Sequence, residues 1–236
     1  MIRTISLRRH RGFTLIELSI ALLVIALIVG AVAAGGDLQR NASYQRVSSS
    51  FVRGWHLALI SHKEKTGVVP GDNAAAPTGQ VNGKETQKGT ALCGEPLRNV
   101  MYAAGVRMPG GRAEGKETEY AYLDSNGNPQ AVEVCMQYVP WSVPGSTAGT
   151  YVVQNRNVLV MKRLTPDLAR LIDSTLDGQA DARFGNVRES TQAALMTTTS
   201  SEWSKDNRYD YTTNTATNRD ESQVAVVIAY YLLDPE

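Results

Sequence analysis

Histidine and cysteine are scarce: three and two among 236 residues. The histidines are His10, His56 and His62. The last two lie six apart, which does not give the i, i+4 geometry of a helical zinc pair. No H-E-x-x-H, G-x-S-x-G or phosphate-binding P-loop pattern occurs. The spacing of Cys93 and Cys135 excludes a C-x-x-C redox or zinc motif. An excess of one charge is also missing: 24 basic residues against 23 acidic give a net charge of +1. That balance supplies no global basic field, so no nucleic-acid partner is expected. Internal repeats are absent. No nucleophile–base pairing is visible, so the chain does not read as an enzyme, and no cofactor is expected.

What charge there is lies unevenly. Arg3, Arg8, Arg9 and Arg11 precede Gly12, and no acidic residue comes before Glu17. Without those arginines the remainder is mildly acidic. From Phe13 to Ala34 the only polar side chains are Thr14, Glu17 and Ser19. As a helix this run reaches about 33 Å, enough to cross the hydrocarbon layer of a bilayer. The arginines then stay cytoplasmic, which places residues 37–236 across the membrane. A secretory signal explains the basic start and the small residues of Ala31–Gly36, but not a carboxylate at the head of the apolar run. A plain membrane anchor explains the length, but an unpaired carboxylate in lipid costs several kcal/mol.

The stretch R-G-F-T-L-I-E-L-S-I-A-L-L-V-I-A-L-I resembles the N-terminal signature of type IV pilins and type II secretion pseudopilins. The resemblance covers roughly residues 8–34. It implies a cut by a prepilin peptidase between Gly12 and Phe13, and N-methylation of Phe13. It also implies that Glu17 pairs with the N-terminal amine of a neighbouring subunit and sets the axial register during filament assembly. The partners so implied are the peptidase, the inner membrane, and other pilin or pseudopilin subunits met through the N-terminal helix. The implied fold is α+β, a long N-terminal helix packed on an antiparallel-sheet head.

The expected organisation follows: a leader over 1–12, a transmembrane helix over 13–36, an amphipathic continuation over 37–66, and a head over 67–236. Tyr44, Val47, Phe51, Trp55, Ala58 and Leu59 recur at i, i+3, i+4 spacing and form one apolar face. Ala34-Gly35-Gly36 offers a place for a break into two helices. Gly67 and Pro70 end the helix. The segments K-T-G-V-V-P-G-D and L-T-P-D-L-A-R-L-I-D-S-T-L-D-G-Q-A-D-A-R-F-G-N-V-R resemble segments of pilin-like heads. Residues 71–90 read as a surface loop, and 96–105 as a short helix. Residues 120–123 and 131–139 flank Asp124-Ser125-Asn126-Gly127 as a hairpin. A second hairpin is expected from 151–153 and 158–161 around Gln154-Asn155-Arg156-Asn157. Thr165 and Pro166 open a helix, as N-cap and first helical residue, that stops at Gly178. Residues 189–222 are rich in Thr, Ser, Asn and Asp and read as an exposed insertion. The final V-A-V-V-I-A-Y-Y-L-L reads as a buried strand.

With the head outside the cytoplasm, Cys93 and Cys135 are expected to form a disulfide; in a reducing compartment they are two buried thiols. Asp173, Asp177 and Asp181 are spaced by four and admit a calcium site, although no EF-hand pattern is present and helix-end or solvated carboxylates are commoner. The function expected is a structural filament subunit. The size of the chain and the 189–222 insertion suggest a minor subunit of a type IV pilus. The alternatives are a pseudopilin of a type II secretion system and a filament-tip adhesin or DNA-binding module. The expected location is the inner membrane, single-pass with a periplasmic head, and then the filament.

Overall fold

A computed structural model describes residues 13–84, 86–203 and 225–233. The chain divides into two compact units, residues 1–41 and 42–236. In the first, helix α1 (Leu15–Arg46) begins just after Thr14. It passes through Gly35 and Gly36 without interruption, so the break allowed by those glycines is not seen. Every described side chain from Phe13 to Val32 is exposed.

In the second unit the end of α1 leads into a π-helical stretch, Val47–Val52, and then α2 (Arg53–Thr66). The Ser49 hydroxyl donates to the Gln45 carbonyl at 2.6 Å and competes with the backbone for it, which favours a widened turn. The apolar face read from the sequence is the buried one. Tyr44, Val47, Phe51, Trp55, Ala58 and Leu59 all enter the main core. Arg46, Arg53, Lys63 and Lys65 stay exposed. Trp55 also donates its indole N–H to the Glu117 carbonyl at 3.1 Å, so its burial leaves no orphan donor. Gly54 permits a close crossing: a Cβ there would lie 2.7 Å from Cβ of Pro109. Gly67, in the left-handed region at φ 75°, caps α2.

The remaining elements are β1 (Leu92–Cys93), α3 (Gly94–Ala103), β2 (Glu119–Leu123), β3 (Pro129–Pro144), β4 (Tyr151–Leu164), α4 (Pro166–Asp177), β5 (Val187–Glu189) and β6 (Val227–Leu232). The six strands form one antiparallel sheet in the order β1-β3-β4-β6-β5, with β2 also on β3. Since β4 occupies one edge of β3, β1 and β2 share the other, end to end. The architecture is therefore α+β, an apolar N-terminal helix followed by helices and an antiparallel sheet, and it is consistent with the expected pilin-like fold.

Alternation along the strands gives the sheet two apolar faces. Val132, Val134, Met136, Leu159 and Met161 point to the main core with the helices. Cys135, Val139, Trp141, Val158 and Val160 point the other way, into a smaller cluster closed by Ala193. Cys93 and Cys135 are direct cross-strand partners and are joined by a disulfide. Glu119 and Glu133 also face each other across strands, but Lys116 neutralises one, and Lys162 and Arg163 the other.

Several boundaries differ from the sequence reading. The second expected hairpin does not exist: residues 151–164 are one unbroken strand. The reversal lies earlier, where Gly145 and Thr150 pair across a short turn. The polar run at 154–157 reads as a turn because Gln154 and Asn155 are exposed on the strand and Arg156 is half-buried at the pocket wall. The fourth, Asn157, is buried for a different reason. Its side chain accepts from Val81 N at 2.9 Å and donates to Gly79 O at 2.8 Å, pinning the 71–90 loop to the sheet. That loop is further ordered by Asp72, whose carboxylate takes the N–H groups of Asn73, Thr78 and Gly79. The short helix begins at Gly94, two residues ahead of the expected start. The hairpin at Asp124–Gly127 is present, with Asp124 Oδ1 accepting from Asn126 N and Asn128 N and Gly127 at φ 81°. Thr165 occupies the N-cap of α4 but does not cap with its side chain. Its N–H is taken by the Tyr122 hydroxyl at 3.0 Å. The last strand is not buried on both sides; Ile228 is exposed. Of the expected 189–222 insertion, residues 204–222 lie outside the described residues. The described part is not a free loop: Arg183 bonds Gln192, Thr197 and Thr199, and both Ala193 and Trp203 are buried.

Candidate functional site

The start of α1 carries a reciprocal cap. Thr14 is the last residue before the helix, and Glu17 is the third residue within it. The Glu17 carboxylate accepts from Thr14 N at 3.0 Å and from the Thr14 hydroxyl at 2.9 Å, and Glu17 N donates to Thr14 Oγ1 at 3.3 Å. This is the capping-box arrangement, which satisfies two N–H groups that a helix start otherwise leaves open. It also places a negative charge at the positive end of the helix dipole. The carboxylate at the head of the apolar run thus has partners within its own chain. Charge-assisted bonds of this kind offset part of the cost of removing it from water. Thr14 has no role in the resemblance read from the sequence, yet Thr-x-x-Glu ahead of an apolar run is the spacing that announces such a box.

Immediately before the cap, Phe13 is non-helical and 89 % exposed. Gly12, the other half of the expected cleavage site, lies outside the described residues. After the cap, Leu15–Val32 has a mean hydropathy of 2.8 and none of it is buried. It is long and apolar enough to span a membrane. Large apolar side chains exposed all round a helix require lipid or other helices to cover them.

Residues 7–33 match the family of the prokaryotic N-terminal methylation motif. That motif is the signature of type IV pilins and pseudopilins. It spans Phe13, Thr14, Glu17 and the apolar helix described above, and it supports a type IV pilin or pseudopilin family member, which points to a structural subunit. The motif implies processing by a prepilin peptidase and assembly with other pilin subunits. Together with the apolar helix it suggests membrane anchoring. No curated protein and no solved structure matches the chain.

Elsewhere, the candidates read from the sequence are occupied by structural roles. His56 Nδ1 lies 2.8 Å from the Tyr231 hydroxyl, and His62 Nδ1 lies 3.1 Å from the Val68 carbonyl. Burial holds the His62 imidazole below its ordinary pKa. Tyr231 itself is buried in the core. The three aspartates order the segment after α4. Asp177 Oδ2 accepts from Asn186 N and Val187 N, both at 2.8 Å. Asp181 Oδ1 accepts from Arg183 N at 2.8 Å, with Phe184 N and Ser201 N further out. Asp173 Oδ2 accepts from Asp181 N at 2.8 Å and from the Trp203 indole at 3.0 Å. Asp173 is fully buried, and burial, with the charge of Asp177 beside it, pushes its pKa up to about 7. One oxygen of each carboxylate is thus committed to backbone N–H groups or an indole, while Asp173 Oδ1 is buried without a hydrogen bond. Among the described residues the one cluster with metal-ligand geometry is Cys93, Glu133 and Cys135, and both of its sulfurs are committed to the disulfide.

Proposed function

We propose that the chain is a minor structural subunit of a type IV pilus or related filament. A prepilin peptidase cuts it between Gly12 and Phe13 and methylates the new amine of Phe13. Residues 1–12 are the leader, 13–36 the membrane-spanning part of the helix, 37–66 its amphipathic continuation, and 67–236 a periplasmic head. The observation that carries this reading is the methylation motif over residues 7–33, coincident with an exposed apolar span, Leu15–Val32, whose only carboxylate, Glu17, sits in a capping box at its start. Cleavage leaves a new amine one residue from Thr14, whose N–H already bonds Glu17. In the membrane Glu17 is held by Thr14 of its own chain. In the filament it gains the amine of a neighbour, and that difference favours one axial register. The disulfide supports a head outside the reducing cytoplasm.

Intact-mass measurement of the chain from host membranes, with and without the peptidase, tests this. The expected mass is that of a chain starting at Phe13 and carrying one added methyl group, seen only with the peptidase present. An uncut chain, or a cut after Ala34, removes the proposal.

A further inference from the structure

The second face of the sheet holds a pocket of about 180 Å³ with an unusual inventory of polar atoms. Its walls include Trp141, Ser142, Arg156, Asn186 and Arg188, and no acidic residue. Arg188, on β5, is only 7 % exposed. Its guanidinium lies over the Trp141 ring, 4.1 Å from the centroid. Nε donates to Gly185 O at 3.0 Å, and Nη1 donates to Ser142 O and Oγ, both at 2.9 Å. All of these acceptors are neutral. Nη2 makes no hydrogen bond among the described residues, and no carboxylate forms an ion pair with Arg188 there. Burial pulls its pKa down to about 10, so it is still charged at neutral pH.

Two more donors face the same space. The Ser142 hydroxyl accepts from Arg188 and donates to no described group. The Asn186 backbone is used on both sides, its N–H by Asp177 and its carbonyl by Leu232 N, but its side-chain amide bonds nothing described. Asp177 stands behind the wall, its carboxylate on Asn186 N, and its charge reaches Arg188, but no acidic side chain lines the pocket itself, and its buried cation and spare donors are complementary to an anion. Its other walls, Trp141, Pro144 and Leu232, are apolar. Its volume equals that of about six waters, too little for a drug-sized molecule and enough for an acid of a few carbons.

We infer that this pocket binds a small carboxylate, with the ligand's oxygens on Arg188 Nη2, Ser142 Oγ and Asn186 Nδ2 and its short apolar stem against Trp141. The inference does not depend on the filament reading, since none of these residues lies in the methylation motif.

The test is a propionate titration of the full chain in non-ionic detergent, with sodium chloride holding ionic strength constant. The readout is the indole N–H resonance of Trp141, assigned with Trp141→Phe. A saturable shift in the millimolar range is expected. Asn186→Ala keeps every described hydrogen bond of its turn, because those are made by the backbone. It should weaken binding about fivefold to tenfold, and Arg188→Lys should abolish it. Absence of a saturable shift overturns the inference, as does a shift that survives both substitutions. Tighter binding of inorganic phosphate overturns the assignment to a carboxylate with an apolar stem. A shift that appears only after residues 234–236 are deleted gives the pocket to the chain's own acidic end and overturns it as well.

Discussion

Asp173→Asn should make the chain more stable in mild alkali while leaving it unchanged below about pH 3.8. In the folded chain Asp173 holds its proton up to about pH 7, against 3.8 for an ordinary aspartate. The folded state therefore binds a proton that the unfolded state has released throughout that window. The contribution of this group is fully present below pH 3.8 and is lost as pH rises through about 7. Stability falls by about 1.4 kcal/mol for each pH unit across the window, or about 4 kcal/mol in the unscreened limit. The effective dielectric of real protein interiors brings the expected total nearer 2 kcal/mol. The asparagine amide resembles the protonated acid. Its carbonyl still accepts from Asp181 N and the Trp203 indole, and its NH2 replaces the acid hydroxyl facing Asp177. Urea unfolding of the full chain in detergent, followed by tryptophan fluorescence, should give equal stabilities at about pH 3 and a gap that opens from there to about 2 kcal/mol in favour of the variant at about pH 8.5. His62, whose burial acts in the opposite direction below its ordinary pKa, is common to both proteins and drops out of the difference. A variant less stable than the parent at the higher pH would refute the reasoning.

Reducing the Cys93–Cys135 disulfide, or replacing both cysteines with serine, opens a loop closed across 42 residues. It should lower stability by about 4 kcal/mol, and an unchanged urea midpoint under reductant contradicts this. Asn157→Ala removes the two bonds that hold the 71–90 loop to β4 and should lower stability by about 2 kcal/mol. Limited proteolysis should then cut within 71–90 much faster than in the parent, and equal rates count against the pinning role.

The helical part of the fold was legible because its signals are periodic or local. One apolar residue every turn from Tyr44 to Leu59 marks a buried face whatever lies against it. Pro166 and Gly178 bracket α4 by backbone chemistry alone. The strands were less legible where their cause is distant in sequence. Asn157 reads as a turn residue until the backbone of Gly79 and Val81 is brought to it. β1 and β5 are too short to show alternation, and each exists because a longer strand offers it an edge. Trp203 lies within the polar run 189–222, and its partner, Asp173, lies 30 residues earlier. At the N-terminus the carboxylate is conspicuous because it interrupts an apolar run, whereas its own-chain partner, Thr14, three residues before it, is an ordinary small polar residue. The pocket around Arg188 left no trace in the sequence, because it is assembled from β3, β4, β5 and β6.

The order of strands has a consequence for how such a chain is made. β6 is the last strand in sequence, yet it lies between β4 and β5 and pairs with both. A ribosome delivers β1 to β5 first. Until β6 arrives, β3 and β4 stand as a hairpin with one long open border, apolar on both faces and ready to recruit any extended chain nearby. The sheet cannot close by stages. A chain interrupted anywhere before Val227 has spent its helices and its disulfide on a structure that lacks the strand joining β4 to β5, and quality control would meet it as a sticky edge rather than as a smaller folded protein.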